Sequence, residues 1–451
     1  MNYLVNWLEK EISMYRENHQ KSLVLWEKAK RLFPAGVSHN IRDFHMSPFK
    51  LSPPFIESGK DAKLFDVDGN TYIDFWLTHG AAILGHAHEA ISDALAKQLH
   101  KGVHFGMVNQ SALDLAEKII DATPCFEQLR FCSTGTEATM YASRLARAYT
   151  RKSKIAKVRG GWHGGNDTLF YYVQQVESGM ESQGMKTQHE AEILSFDYND
   201  IDGFLDLIKN HKDELAAVVM EPILGAGGGI PPREGFLETI REETQKNNIL
   251  LIFDEVITGF RLSYHSGQGY FNIIPDMATM GKIVGGGMPI GVVGGNYEIM
   301  QQANLQEGGA VWIGGGTFSS NPMSMVAGVA TLDILAKNQT QYYQDLNASG
   351  DKIRKQIQGI INDYNAPACV TGVGSITCIH WFKKPLAKVS SSSDVKLNSD
   401  NEKVNQFQLL MLNRNILTRT GFGTLSIKHT QDDFDKTMIA LDETIKMLTQ
   451  K

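Results

Sequence analysis

The stretch Asn248-Ile249-Leu250-Leu251-Ile252-Phe253-Asp254-Glu255 governs the reading of this chain. A mostly apolar run ends in two acids, as a buried strand does where it opens onto a loop. After Thr258-Gly259-Phe260-Arg261 the chain turns polar, then reaches Met280-Gly281-Lys282 and the cluster Gly285-Gly286-Gly287. Upstream lie further short apolar runs: Leu129-Arg130-Phe131-Cys132, Lys154-Ile155-Ala156-Lys157-Val158 and Ala216-Ala217-Val218-Val219-Met220. They alternate with helical patterns over Ala90–Leu99 and Ala112–Ala122. Strand and helix alternating at this spacing predict an α/β domain with a largely parallel sheet.

The flanks read differently. Residues 1–34 carry apolar positions at mixed 3–4 spacing and predict helix, stopped by Pro34-Ala35-Gly36. Residues 37–60, with Pro48, Pro53 and Pro54, predict an irregular segment. Two β-prone runs around Asp68-Gly69 predict a hairpin over 63–75. A helix is expected from Met323 to about Leu335, a surface loop from Ser390 to Asn401, and a strand pair with a closing helix, Asp432–Leu448, at the end. The resulting division is an N-terminal segment 1–89, a large domain 90–335 and a smaller C-terminal domain 336–451.

Composition narrows the class. A net charge of -6 supplies no basic field for nucleic acid. No apolar run reaches membrane-span length, and the first residues lack a signal-peptide pattern. Cys125, Cys132, Cys369 and Cys378 form no CxxC pair and read as thiols in a reducing, cytoplasmic setting. No metal site is expected, since Gly85-His86-Ala87-His88 spaces its histidines too closely for one helix face.

Several segments carry chemistry. Ser133-Thr134-Gly135-Thr136-Glu137-Ala138 follows a strand and opens a helix, so free N–H groups and hydroxyls can face an anion. The same residues suit an ordinary N-cap, with Ser133 or Thr136 capping. Gly160-Gly161-Trp162-His163-Gly164-Gly165 gives close backbone approach and an aromatic that can stack on a planar ring, or simply pack on the core. Met220-Glu221-Pro222 stands at another strand end, where α/β sheets place ligands. Gly281-Lys282 lacks the preceding glycine and following Ser/Thr of a nucleotide P-loop.

Asp254 and Lys282 together fit a pyridoxal phosphate (PLP) site. A carboxylate can hold the ring nitrogen protonated, and a lysine of lowered pKa can form the Schiff base. Asp254 would equally serve as a helix cap, and most lysines lie at the surface. Apolar Ile283, Val284, Met288 and Ile290 argue against full exposure of Lys282.

In combination, these segments resemble the class III PLP-dependent aminotransferases of fold type I, in the glutamate-1-semialdehyde aminomutase-like branch. The resemblance spans about residues 22–450. Beyond the motifs above, it rests on Phe33-Pro34-Ala35-Gly36-Val37, Asp66-Val67-Asp68-Gly69-Asn70, Ile83-Leu84-Gly85-His86-Ala87-His88, Gly259-Phe260-Arg261 and Gly316-Thr317-Phe318-Ser319-Ser320-Asn321-Pro322. It implies a large domain with a mostly parallel mixed sheet flanked by helices, and a smaller α+β domain built from both termini. Lys282 would be the Schiff-base lysine and Asp254 the ring-nitrogen partner. Val256 and Trp162 would flank the ring, and Ser133, Thr134, Gly135 and Thr136 would hold the phosphate. His163 and Glu221 would complete the cofactor site. Thr317 would reach the phosphate in the neighbouring subunit of a homodimer with shared sites.

The chain departs from the aminomutase pattern at His79 (tryptophan there), His39 (serine), Ala226 (asparagine) and Gly421 (an acid). Such losses fit an enzyme that releases an oxo product. The expectation is therefore amino transfer between a carboxylate-bearing amino donor and an oxo acid. Intramolecular aminomutase chemistry, racemisation, or non-catalytic ligand binding on the same fold are the alternatives. Arg42 and Arg419 are candidates for the substrate carboxylate, since guanidinium pairs with it through two parallel bonds, or for surface ion pairs. His39 and His79 would line the pocket or be satisfied polar residues.

Overall fold

The computed structural model describes residues 2–174, 179–419 and 421–450, with the side chains of 2–6 and of Phe422 left aside. Two compact units emerge. One comprises the chain up to His88, Leu346–Lys388 and Asn398 onward; the other is Glu89–Asp345 with Val389–Leu397.

In the second unit a seven-stranded sheet runs in the order Gln128–Cys132, Gly291–Gly295, Met277–Gly281, Leu250–Asp254, Leu215–Met220, Lys154–Val158, Ile193–Phe196. Only Gly291–Gly295 is antiparallel to its neighbours. The strands Leu215–Met220 and Leu250–Asp254 are buried along their whole length, which explains their unbroken apolar runs. Helix Gly135–Thr150 turns Ala138, Tyr141, Ala142, Leu145 and Ala146 into the same core as Ile155, Ala217, Val219 and Ile252. Each large aliphatic side chain so buried contributes roughly 1.5–3 kcal/mol.

Three of these strands, Ile193–Phe196, Met277–Gly281 and Gly291–Gly295, escape the apolar pattern. Gly291 and Gly294 are there for space: a Cβ on Gly291 would stand 2.1 Å from Thr134 O, and one on Gly294 would stand 2.9 Å from Phe126. Because the other six strands point the same way, their carboxyl ends line one edge. Ser133, Gly160, Glu221, Asp254 and Lys282 all follow at or just after such ends.

The first unit holds two smaller sheets. Ile56–Lys60, Lys63–Asp66 and Thr71–Asp74 form an antiparallel meander, to which Ile416–Leu417 adds a parallel strand. The Asp68-Gly69 turn has Gly69 at φ +96, and Asp66 Oδ1 accepts from the N–H groups of Asp68 and Asn70. Ala368–Thr371, Ile376–Trp381 and Phe422–Thr424 form the second sheet. The N-terminal helical region is two helices, Asn2–Asn18 and Gln20–Leu32.

The serine-rich stretch is not the surface loop its composition suggested. Helix Ser392–Asn398 forms there, with Ser391 and Ser392 buried. Several of its polar groups find partners in the second unit, although the buried Ser392 Oγ finds none among the described residues: Ser393 Oγ donates to Asp197 Oδ1 (2.7 Å) and Asn199 Nδ2 to Ser390 O (3.0 Å). Lys396 Nζ donates to Val173 O and to Gln174 Oε1. Small hydroxyl side chains with partners pack as well as apolar ones. The second unit also runs ten residues beyond the expected 335 boundary, to Asp345.

Candidate active site

Lys282 follows the last residue of strand Met277–Gly281 and opens a single 3-10 turn, Lys282–Gly285. Its φ of +52 is a left-handed conformation that costs a non-glycine residue about 1 kcal/mol or more. The side chain is half-buried. Burial lowers its pKa from the ordinary lysine value, while Asp254 and Glu221 oppose the shift. A lowered pKa leaves more free amine for attack on a carbonyl.

Asp254 ends the neighbouring strand and is buried. Its Oδ1 accepts from Val256 N (3.1 Å) and Thr279 Oγ1 (3.2 Å), and its Oδ2 lies 2.8 Å from His163 Nδ1. Burial lowers the His163 pKa, with Asp254 opposing, so the imidazole is neutral and its Nδ1–H donates to the carboxylate. Oδ1 already accepts two hydrogen bonds and Oδ2 one, so Oδ2 keeps capacity for a further donor. His163 Nε2 is buried and has no hydrogen-bond partner among the described residues.

Glu221 follows strand Leu215–Met220 and collects backbone donors: Trp162 N at 3.3 Å, Gly225 N at 3.1 Å and Ala226 N at 3.4 Å. Burial first, and Asp254 second, push its pKa up to about 8 against these donors and Lys282. Trp162 remains 41% exposed, with Phe170 edge-on to its ring at 5.5 Å.

At the start of helix Gly135–Thr150 the cap is Thr134, neither Ser133 nor Thr136. Thr134 Oγ1 accepts from Glu137 N, and the Glu137 carboxylate returns to the N–H groups of Ser133 and Thr134. Anion binding then falls to the N–H groups of Gly135 and Thr136, which have no intrahelical acceptor, and to the Thr136 hydroxyl. Ser133 Oγ points to Gly315 O instead (3.4 Å).

Val256 lies between this helix start and the lysine. A Cβ on Gly135 would come within 2.9 Å of its side chain, and one on Gly281 within 3.4 Å. On the other flank, Gly164 (φ +90) presses so closely on Thr136 that a Cβ would stand 2.4 Å from its Oγ1. A helix N-terminus, a carboxylate free to pair with a pyridinium, a nucleophilic amine and an aliphatic platform thus meet in one cradle. These residues fit PLP: Gly135 and Thr136 for the phosphate, Asp254 for the ring nitrogen, Lys282 for the aldehyde carbon. Thr317 is exposed in a turn, and its neighbour Gly316 lies against Ser133 and Glu137 of the same chain.

The substrate candidates gather in the first unit. Leu77, Thr78 and His79 have φ of +43, +53 and +61, three non-glycine residues in succession in the left-handed region. Leu77 N is held by Asp74 Oδ1 at 2.9 Å. The turn brings the His79 ring to 4.2 Å from Trp76 and 5.8 Å from His39. Arg419 stacks over Trp76 at 5.9 Å and donates from Nε to Ile41 O at 3.1 Å. Burial lowers its pKa to about 10. Partial burial, then the charges of Arg42 and Arg419, lower the His39 pKa. Arg42 is exposed, and its guanidinium has no hydrogen-bond partner among the described residues.

Residues 48–402 match the family described as aminotransferase class-III. The chain belongs to the class-III aminotransferases. It is similar to the glutamate-1-semialdehyde 2,1-aminomutase of Methanosarcina acetivorans, with 40% identity over 94% of this chain and 98% of that protein. Among solved structures it is similar to an omega-transaminase from Sphaerobacter thermophilus (TM-score 0.86, 32% identity, 95% and 98% of the two chains). It is also similar to a beta-phenylalanine aminotransferase from Variovorax paradoxus (TM-score 0.87, 29% identity, 98% and 97%). The fold is thus fold type I, as expected, and the cofactor of this class-III aminotransferase is pyridoxal 5′-phosphate. When bound, PLP supplies an aldehyde for amine exchange and an electron-withdrawing ring. No helix among the described residues is long and apolar enough to cross a membrane.

Sequence reasoning passed over Lys157. Its signal was a charge inside the otherwise apolar run Ile155-Ala156-Lys157-Val158. It placed Glu221 in the cofactor site but did not foresee its raised pKa, which depends on burial that no local motif encodes.

Proposed function

We propose that this class-III aminotransferase moves an amino group between two carbons of one carboxylate-bearing substrate, the 2,1-aminomutase reaction for which its curated relative is named. The 40% identity over 94% of the chain carries this reading over intermolecular transfer. Lys282 Nζ holds the cofactor and then moves the proton at the reacting substrate carbon. Asp254, oriented by His163, holds the ring nitrogen's proton. Val256 and Trp162 flank the ring, Gly135 and Thr136 bind the phosphate, and Glu221 steadies Trp162. Arg42 takes the substrate carboxylate, with His39, His79 and Arg419 shaping its surroundings.

Transfer to a separate oxo acid is the second reading, favoured by His39, His79, Ala226 and Gly421, where pocket groups of the aminomutase pattern are missing. The discriminating experiment supplies glutamate 1-semialdehyde alone. An isomer formed without an acceptor supports the first reading. A released oxo product, with turnover that needs an oxo acid, supports the second. Failure of the purified protein to bind PLP would reject both.

The working unit in this proposal is a cytoplasmic homodimer in which Thr317 completes the partner's phosphate site. Support comes from an apolar surface beside Thr317. Phe318 meets His104 at 5.4 Å, and Val103, Phe105, Met107 and Val108 on that stretch are all exposed, Val108 at 96%. Contiguous apolar exposure of this kind marks an association surface.

A further inference from the structure

Lys157 lies in strand Lys154–Val158, paired with Ser195 on one side and Val219 on the other, and its side chain is wholly shut off from solvent. Its ammonium has three hydrogens and gives each to a backbone carbonyl: Gly161 O at 2.9 Å, Leu169 O at 3.0 Å and Tyr171 O at 2.7 Å. None of these bonds goes to a carboxylate. Buried lysines normally pair with an acid, so a carbonyl-only set points to a role in shaping backbone.

The three carbonyls come from both limbs of one loop. Gly160 N closes its base on Tyr172 O (2.7 Å), and Gly161 N bonds Val158 O (3.2 Å). Trp162 and His163 stand on the first limb. Their other ties are Trp162 N to Glu221 Oε1, Thr139 Oγ1 to His163 O (2.6 Å) and the His163 ring to Asp254 Oδ2 (2.8 Å). Asn166 Nδ2 adds a longer contact to His163 O (3.4 Å). Lys157 bonds residues of both limbs through three contacts of 3.0 Å or less, where the Asn166 side chain reaches both only through His163 O (3.4 Å) and Leu169 N (3.2 Å).

We propose that Lys157 is a positioning residue for the cofactor ring: its ammonium draws the two limbs of the Gly160–Tyr172 loop together and so fixes where Trp162 and His163 stand. The part concerning the ring rests on the PLP reading above; the part concerning the loop does not. A methionine of similar shape would leave three inward carbonyls without donors, and they would have to turn toward water, opening the loop.

The test compares wild type with Lys157→Met, with Lys154→Met on the same strand as a control. Amide hydrogen exchange by mass spectrometry, PLP affinity by titration and the visible circular dichroism of bound cofactor are the readouts. In Lys157→Met, exchange of peptides covering 160–172 should rise about tenfold while those covering 215–220 and 250–254 stay as in wild type. PLP affinity should fall about tenfold, and the dichroic band should shrink. Unchanged loop exchange would overturn the proposal. A loosened loop with unaltered affinity and dichroism would overturn its link to the ring. If Lys157→Met does not fold, Lys157→Gln, with two N–H donors, takes its place; failure of both to fold would mean a fold-wide role and overturn positioning. If wild type binds no PLP, the cofactor reading fails, while the exchange result still decides the loop.

Discussion

His163 Nδ1 stands 2.8 Å from Asp254 Oδ2, and both side chains are buried. Nδ1–H donates to the carboxylate and orients it. Asp254→Asn keeps the shape and removes the charge. Amino transfer should fall about 100- to 1,000-fold while the thermal midpoint changes little. Activity within a few-fold of wild type would show that the ring nitrogen needs no carboxylate here.

Lys282 carries the covalent role. Borohydride reduction of the PLP-loaded protein, followed by peptide mass spectrometry, should place the cofactor on Lys282. Lys282→Ala should retain its fold, show no reduced adduct and have no measurable turnover. Because burial lowers the Lys282 pKa, the rate of covalent capture by apoprotein should reach its plateau below the ordinary lysine pKa of 10.5. An adduct on Lys157, buried in strand Lys154–Val158, would reassign the site.

Glu221 gives a pH signature. Its pKa rises from 4.5 to about 8 on folding, so between those values the folded protein holds a proton that the unfolded chain has released. Stability from this group is full below 4.5 and lost as pH rises through about 8. Glu221→Gln cannot ionise. Its thermal midpoint, relative to wild type, should climb by a few degrees between those limits. A constant difference would mean that Glu221 is ionised throughout.

The two arginines should separate kinetically. The Arg42 guanidinium has no hydrogen-bond partner among the described residues, whereas Arg419 is tied to Ile41 O and Trp76. Arg42→Lys should raise KM for a carboxylate substrate about 10- to 100-fold with a smaller change in kcat. Arg419→Lys should mainly lower the thermal midpoint. The opposite split would exchange their roles.

Association can be read by sedimentation. Val108→Glu places a charge on the most exposed apolar side chain beside the Thr317 turn. It should shift wild-type dimers toward monomer and weaken PLP binding, as loss of the partner's Thr317 requires. Thr317→Val should weaken PLP binding with the dimer intact. A monomeric wild type would remove Thr317 from the site.

Asp254, Lys282 and the Gly135–Thr136 helix start were legible because each is a local pattern: a strand end, a glycine cluster, a helix cap. The His163–Asp254 pair was not, since 91 residues separate its members and only the strand order unites them. Strand Gly291–Gly295 was hidden because its glycines answer to neighbouring backbone rather than to water, and so break the apolar run. The left-handed turn through Leu77, Thr78 and His79 has no glycine until Gly80 to announce it. Ser390–Ser393 misled because composition reports polarity and is blind to burial, which here takes in Ser391 and Ser392.

The helix at Ser392–Asn398 also bears on biosynthesis. A ribosome has made the whole seven-stranded sheet by Gly295, yet the piece that covers Gly160 and bonds Asp197 and Val173 follows only after Lys388. During that interval the nascent sheet must keep the face around Gly160 uncovered. A chain stopped ahead of Val389 would therefore complete the sheet yet lack the helix that bonds Asp197 and Val173.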